Sequence, residues 1–94
     1  MYARLVRFSL VPGKRAVAQA VAAEVAPVIA AQPGCKGVTV FGDDKDDQYG
    51  LFVLWESEAQ ANAAVAVIRP KLDSQLAGSL QGALDHRLFE VLSK

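Results

Sequence analysis

The sequence predicts an α+β fold: one four-stranded antiparallel sheet with two helices packed against one of its faces. Two observations predict it. Stretches with the twofold periodicity of strands alternate with stretches of helical periodicity, in the order β-α-β-β-α-β. Proline, glycine and runs of polar residues separate these stretches where the chain must turn. With 94 residues, the chain has the length of one domain, and we expect residues 1–94 to form a single one.

The first strand and the first helix occupy the N-terminal third of the chain. Residues 1–11 mix β-favouring side chains with two arginines and end at Pro12. Valines then recur at spacings of four, four and three, which lines one face of a helix; they are Val17, Val21, Val25 and Val28. Pro27 removes one helical hydrogen bond, so we expect a kink or a weakened last turn there. Pro33, followed by a glycine, ends the helix.

The two middle strands are predicted to form an antiparallel hairpin. Residues 37–41 and 49–55 contain mostly β-branched, aromatic and other apolar side chains. The seven residues between them are polar and turn-forming. A short polar connection of this kind joins neighbouring antiparallel strands.

The second helix and the last strand complete the fold. Ser57 and the glutamine three residues later match a capping box, so a helix begins there. We expect it to cover residues 59–68, to break at Pro70 and to continue as a further helical piece that fades near residues 78–82. Residues 85–92 are the last strand. With right-handed crossovers that each leave space for one strand, this order gives a ferredoxin-like sandwich with both helices on one face.

The apolar content predicts a homodimer. Hydrophobic residues make up 52% of the chain, and a domain this short cannot bury all of them. Phe52 and Leu54 lie on one face of the third strand, while the opposite face carries Leu51, Val53 and Trp55. A sheet with one face in water is not apolar on both faces. We therefore expect the helix-free face to pack against a second copy of the chain.

Charge and cysteine content indicate which classes of partner and which cellular location to expect. Ten basic and ten acidic residues give a net charge of zero, and neither sign is clustered, so no nucleic-acid partner is expected. The one cysteine, Cys35, cannot form an internal disulfide and suits a reducing compartment. No apolar segment reaches the roughly 20 residues of a membrane span, and nothing resembles a signal peptide. We expect no membrane contact and a cytoplasmic location.

Three motifs give the chain a resemblance to a known family. They are Pro12-Gly13-Lys14 after the first strand, Gln32-Pro33-Gly34-Cys35-Lys36-Gly37-Val38 before the second, and Trp55-Glu56-Ser57-Glu58-Ala59 between the third strand and the second helix. With them the chain resembles the antibiotic biosynthesis monooxygenase family of dimeric α+β barrels. The resemblance extends over nearly the whole sequence.

The resemblance implies a cofactor-independent monooxygenase that acts on a small aromatic or quinone-like substrate in an apolar pocket between sheet and helices. A non-catalytic dimeric protein of the same fold, which binds a small apolar ligand or serves as an accessory domain, is the alternative. Haem breakdown is not expected. Residues 57–82 contain no histidine that could ligate iron, and Arg7 stands where haem-degrading members have an asparagine.

Trp55, Arg7 and His86 are the candidates for catalysis. Trp55 should point between the sheet and the helices, either as a ligand contact or as a core residue. Arg7 would stabilise an anionic substrate or a peroxide on the same helix-covered face, unless it makes an ordinary salt bridge. His86, the only histidine, is the default proton carrier near neutral pH, although strand starts often face solvent. The predicted lining of the substrate pocket comprises Trp55, Arg7, Val53, Leu51, Tyr49 and Val65.

No cofactor and no metal are expected. Cysteine and histidine do not occur in clusters with ligand spacing. The acidic run of residues 43–47 lacks the glycine and the closing glutamate of a calcium-binding loop, so it is interpreted as a solvated hairpin turn.

Overall fold

The four strands form one antiparallel sheet in the order β2-β3-β1-β4. A computed structural model describes residues 1–93. Its strands are β1 (Tyr2–Leu10), β2 (Cys35–Asp43), β3 (Gln48–Trp55) and β4 (Leu80–Glu90). The two central strands are β1 and β3, as the predicted order requires. The ferredoxin-like α+β architecture is confirmed.

Side-chain alternation along the central strands separates a helix-covered face from a helix-free face. On β3, Leu51, Val53 and Trp55 are buried in the core that the helices share, while Phe52 between them is 40% exposed. On β1, Val6, Phe8 and Leu10 belong to the same core. The residues in register across the two strands, such as Val6 and Leu51, share a face. The predicted division of β3 into two apolar faces is therefore confirmed.

The first helix, α1, covers residues 15–30 in three consecutive segments. Arg15–Ala20 and Ala26–Ala30 are α-helical, and Val21–Val25 between them is a π-helical turn. The distortion expected at Pro27 thus occurs in the turn before it, where a widened helix accommodates the missing N–H and the ring. The buried valines Val21 and Val25 keep this segment in the core.

The second helix, α2, is longer than the sequence indicated. It covers Glu58–Leu76 without interruption, so the predicted break at Pro70 is wrong. Pro70 is exposed, and the carbonyl that its missing N–H leaves unpaired belongs to Ala66, which is exposed as well, so water can satisfy it. Ser57 caps the helix as predicted, since its hydroxyl accepts a hydrogen bond from the Gln60 N–H at 3.2 Å.

The last strand begins five residues earlier than predicted, at Leu80 instead of Asp85. A register shift between Arg7 and Ser9 of β1 lets residues 80 and 81 pair with the end of that strand. Gly82 takes a positive φ of 81° close to this irregularity, a conformation that suits glycine at a bulge. The bulge interrupts the alternation of the sequence, which is why periodicity alone missed the start of β4.

The helix-free face carries exposed aromatic side chains. Phe41, Phe52 and Phe89 are 40%, 40% and 47% exposed, and they lie on β2, β3 and β4 respectively. The Phe41 ring covers Gly50, where any β-carbon would collide with it. Three exposed phenylalanines on one face of a sheet form an unusually apolar surface for contact with water.

Candidate functional site

The site is a pocket between the sheet and α2. Ten of its thirteen lining residues are apolar, and the other three are Arg4, Arg69 and His86. Most of the apolar wall comes from the two central strands and from α2, and α1 and β4 add Ile29 and Leu84. The pocket has a volume of about 60 Å³, which holds a few water molecules. Pockets for drug-sized ligands occupy about 300–1,000 Å³, so an aromatic ligand has to widen this one.

Trp55 is the largest side chain in the wall of the pocket. It is 1% exposed and ends β3, directly before the Ser57 cap that fixes the start of α2. Its indole Nε1–H has no hydrogen-bond partner among the described residues. A buried donor without an acceptor destabilises the fold, and buried tryptophans usually satisfy theirs. The predicted position of Trp55 on the helix-covered face is confirmed, and its orphan N–H is free for an acceptor.

Arg4 brings a positive charge to the pocket from β1. Its position has the parity of Val6, Phe8 and Leu10, and its Nη2 donates to Oδ1 of Asn62 on α2 at 3.1 Å. Partial burial lowers the pKa of the Arg4 guanidinium from its usual value, although an arginine stays charged at neutral pH. Among the described residues, Arg4 makes no salt bridge to a carboxylate. No carboxylate within residues 1–93 therefore compensates this charge.

His86 and Arg69 complete the polar lining. His86 pairs in register with Val6, so it lies on the helix-covered face at the edge strand β4 and is exposed to solvent. Arg69 lies on α2, and its Nε donates to Oδ1 of Asp73 at 2.9 Å. An exposed imidazole beside an apolar pocket can exchange protons with both ligand and water.

Two predicted lining residues lie elsewhere. Arg7 is exposed on the helix-free face, where its Nη2 donates to Oε1 of Gln48 at 3.3 Å. The expected orientation of Arg7 toward the helices is wrong, because it has the opposite parity to the core residues of β1. Tyr49 faces the core but stacks on Phe8, with ring centroids 6.4 Å apart, and does not line the pocket.

Tyr49 belongs to a polar cluster with Arg15 and Asp44 at the β2–β3 turn. Both Asp44 carboxylate oxygens accept hydrogen bonds from Arg15 at 2.7 Å, and the Tyr49 hydroxyl donates to Asp44 at 2.9 Å. The hydrogen bond from Arg15, and then that from Tyr49, lowers the pKa of Asp44 below its usual value. Burial, and then the bond to Asp44, raises the pKa of Tyr49. This cluster fastens the turn to α1 and has no part in the pocket.

The structure brings together Trp55, Leu51, Val53, Val65 and His86 from the predicted set. Arg4 and Arg69 were not among the predicted lining residues, and neither was Asn62, which holds Arg4. For Arg4 a signal existed, since it alternates with the apolar residues Val6, Phe8 and Leu10. For Arg69 and Asn62 no signal existed in a helix whose exposed and buried positions both carry many alanines.

The remaining chemistry-bearing groups do not form a second site of this kind. Within residues 1–93, no group of three or more histidine, cysteine, aspartate or glutamate side chains is arranged to hold a metal ion. None of the helices described is long and apolar enough to cross a membrane.

Comparisons with known proteins agree with this architecture. A provisionally assigned antibiotic biosynthesis monooxygenase from Nitrosomonas europaea superposes with a TM-score of 0.85 at 14% identity, covering 99% of this chain and 100% of that one. Rv0793 from Mycobacterium tuberculosis gives a TM-score of 0.83 at 16% identity, with 99% and 96% covered. A variant of SnoaB, a cofactor-independent oxygenase from Streptomyces nogalater, gives 0.80 at 26% identity, with 99% and 94% covered. No curated protein sequence matches the chain significantly.

Fold and pocket together define a small α+β sandwich with one apolar, donor-lined cleft between its sheet and its second helix. The sequence model of the family described as antibiotic biosynthesis monooxygenase matches residues 1–66, which extend from β1 into α2. The chain belongs to this family, and the resemblance drawn from its three motifs is confirmed.

Proposed function

We propose that the protein is a homodimeric, cofactor-independent monooxygenase that oxidises a small aromatic or quinone-like substrate in the pocket beneath α2. The observation that carries the proposal is the composition of that pocket: an apolar interior with an uncompensated guanidinium, an unpartnered indole N–H and an imidazole at its edge. Family membership and the likeness to SnoaB, a cofactor-independent oxygenase, support the reaction class.

The chemistry divides among three side chains. His86 accepts a proton from the activated C–H of an anthrone-like substrate, and Arg4 stabilises the negative charge that moves to the substrate oxygen. The substrate anion passes one electron to O₂, and recombination gives a peroxide. Loss of water from the peroxide leaves a carbonyl, so that CH₂ and O₂ become C=O and H₂O. Trp55 provides a flat apolar surface for the ring and keeps water from the anion.

The helix-free face supports the homodimer. Phe41, Phe52 and Phe89 are exposed on it at three successive levels of the sheet, together with the partly exposed Leu5 and Leu54. Two such faces packed together would exclude water from all three rings in each copy. Obligate interfaces of this kind bury upwards of about 2,000 Å².

Oxygen consumption tests the proposal. We expect chelator-treated protein, incubated with anthrone or a substituted anthrone, to consume O₂ in proportion to enzyme and to release the corresponding anthraquinone. His86→Gln should lower kcat by about 10²–10⁴-fold if His86 is the base, and Arg4→Met should lower it as well. Arg7→Met is the matched control, because Arg7 is the same residue type on the same strand but faces away from the pocket.

The result also separates the proposed enzyme from a ligand-binding protein of the same fold. One observation favours that alternative: the base that lines the pocket, the only one among residues 1–93, is an exposed imidazole on an edge strand. Saturable quenching of Trp55 fluorescence by the same compounds, without oxygen uptake above the protein-free rate, would establish binding without catalysis. An absence of both would contradict the proposed site.

A further inference from the structure

The polar groups that line the pocket are donors to an unusual degree. The guanidinium of an arginine and the N–H of an indole donate hydrogen bonds and accept none, and an imidazole has one donor nitrogen beside its acceptor. Among the residues that the structure describes, no carboxylate lines the pocket, although the chain contains ten acidic residues. A ligand that fills this space thus meets donors and positive charge, and never an acceptor with a negative charge.

The two arginines of the pocket differ in how far their charge is already neutralised. Arg69 is paired with Asp73 at 2.9 Å on the same helix. Arg4 is held by the neutral amide oxygen of Asn62 and is partly buried. A guanidinium in this position gains more from an anion than an exposed one does, because partial desolvation strengthens the attraction.

Trp55 adds a second, independent observation. Its N–H is buried and unpartnered, its side chain is 1% exposed, and the pocket is the space that the side chain borders. A ligand acceptor atom that reaches this N–H would satisfy a donor that the described residues leave without a partner. Buried polar groups without a partner are rare in folded proteins and call for such an explanation.

We infer that the pocket selects ligands that carry an anionic oxygen, such as a carboxylate, phenolate or enolate, on an apolar body, and that Arg4 is the residue that recognises this charge. The inference rests on the proposed function only in that the pocket must bind a ligand. Asn62 is the positioning residue, since it holds the guanidinium toward α2. The Arg4 guanidinium is charged toward either kind of ligand, so an anionic ligand differs from a neutral one of equal size by the Coulomb attraction between two opposite charges, which partial burial strengthens.

A matched pair of probes isolates the charge. 2-Hydroxy-1,4-naphthoquinone is ionised at pH 7, and its methyl ether, 2-methoxy-1,4-naphthoquinone, is neutral and nearly the same shape. Both probes must widen the pocket by a similar amount. The free-energy cost of widening therefore cancels when their dissociation constants are compared. We expect calorimetric titration to give a dissociation constant at least about tenfold lower for the anion, which corresponds to about 1.4 kcal/mol. Acidification until the hydroxy probe is neutral should remove the preference.

Variants at Arg4 identify the recognising residue. Arg4→Met should reduce the preference to less than about threefold while the methyl ether binds as before, and Arg4→Lys should retain part of it because the charge remains. Arg7→Met should leave the preference unchanged. If the variants fail to fold, the comparison of the two probes on the parent protein still decides the selectivity.

Each outcome bears on one conclusion. Equal affinity for the two probes would overturn the anion selectivity and leave the proposed pocket intact. A preference that persists in Arg4→Met would overturn the role of Arg4. Binding of neither probe would contradict the proposed function together with this inference.

Discussion

Replacing Trp55 by phenylalanine should change stability far less than the loss of a buried tryptophan ordinarily does. Trp55 is the largest fully buried side chain in the described part of the protein, and truncation of such a residue to alanine costs about 3–5 kcal/mol. Phenylalanine keeps most of the ring packing and removes the indole N–H. That N–H has no acceptor among the described residues. Its removal therefore breaks no hydrogen bond and takes away the free-energy cost of a buried, unsatisfied donor.

The lost apolar burial and the removed unsatisfied donor change the free energy of unfolding by similar amounts in opposite directions. A large aromatic side chain buries about 150–250 Å², and the change to phenylalanine gives up roughly 50 Å² of that, which costs about 1 kcal/mol at 25 cal/mol per Å². Leaving a buried donor unsatisfied costs about 1–3 kcal/mol, and this cost disappears in the variant. We therefore expect the free energy of unfolding of Trp55→Phe to lie within about 1 kcal/mol of that of the parent protein.

Urea unfolding followed by far-UV circular dichroism measures this quantity, since the variant lacks the tryptophan fluorophore. All proteins must be compared at one concentration, because unfolding of a dimer depends on it. Tyr49→Phe is the matched control: it also removes a donor from an aromatic side chain, but this donor has an acceptor in Asp44, so the change should destabilise. A loss above about 2 kcal/mol for Trp55→Phe would show that the N–H has a partner in solution and would refute the reasoning.

Two further predictions concern the dimer and the β2–β3 turn. In sedimentation velocity, Phe52→Lys should convert the dimer into a monomer of 10.0 kDa. Val67→Lys, at a site of nearly equal exposure on α2, should leave the dimer intact. A parent protein that sediments as a monomer would contradict the proposed interface. The lowered pKa of Asp44 implies a stabilising contribution that is complete above the unfolded-state value near 3.9 and is lost as the pH falls through the lower folded-state value. Asp44→Asn should therefore lower the melting temperature at neutral pH, with a difference from the parent that narrows in acid, and Asp46→Asn in the same turn should show neither effect.

The fold could be predicted from the sequence because its signals are local. The turn residues, the spacing of the valines in α1 and the Ser57 cap each act over a few residues, and the order of elements then leaves few topologies. The wrong details came from interactions that are not local. Pro70 is tolerated because its neighbourhood on α2 faces solvent, and β4 starts early because a bulge aligns residues 80 and 81 with the end of β1.

The site could be predicted only as far as strand parity extends. Leu51, Val53 and Trp55 share a face by alternation alone, and that face proved to be the covered one. The arginine that shares this face can be identified from β1. Positions with the parity of Arg4 carry three large apolar side chains, whereas positions with the parity of Arg7 are mixed. That comparison favours Arg4, and the preference for Arg7 neglected it.

The polar half of the pocket depends on three elements that are distant in sequence. Arg4 and Asn62 are 58 positions apart, and His86 reaches the same face only through its register with Val6 on the neighbouring strand. Neither spacing nor periodicity encodes such a meeting, because helix α2 could rotate by a fraction of a turn without changing its pattern of alanines. The packing of α2 on the sheet decides which side chains it presents, and it places Asn62 on Arg4 while Arg69 stays with Asp73. The charge left without a carboxylate is consequently that of Arg4, which rises from the covered face of the sheet to Asn62 on α2 and lines the pocket where a ligand would find it.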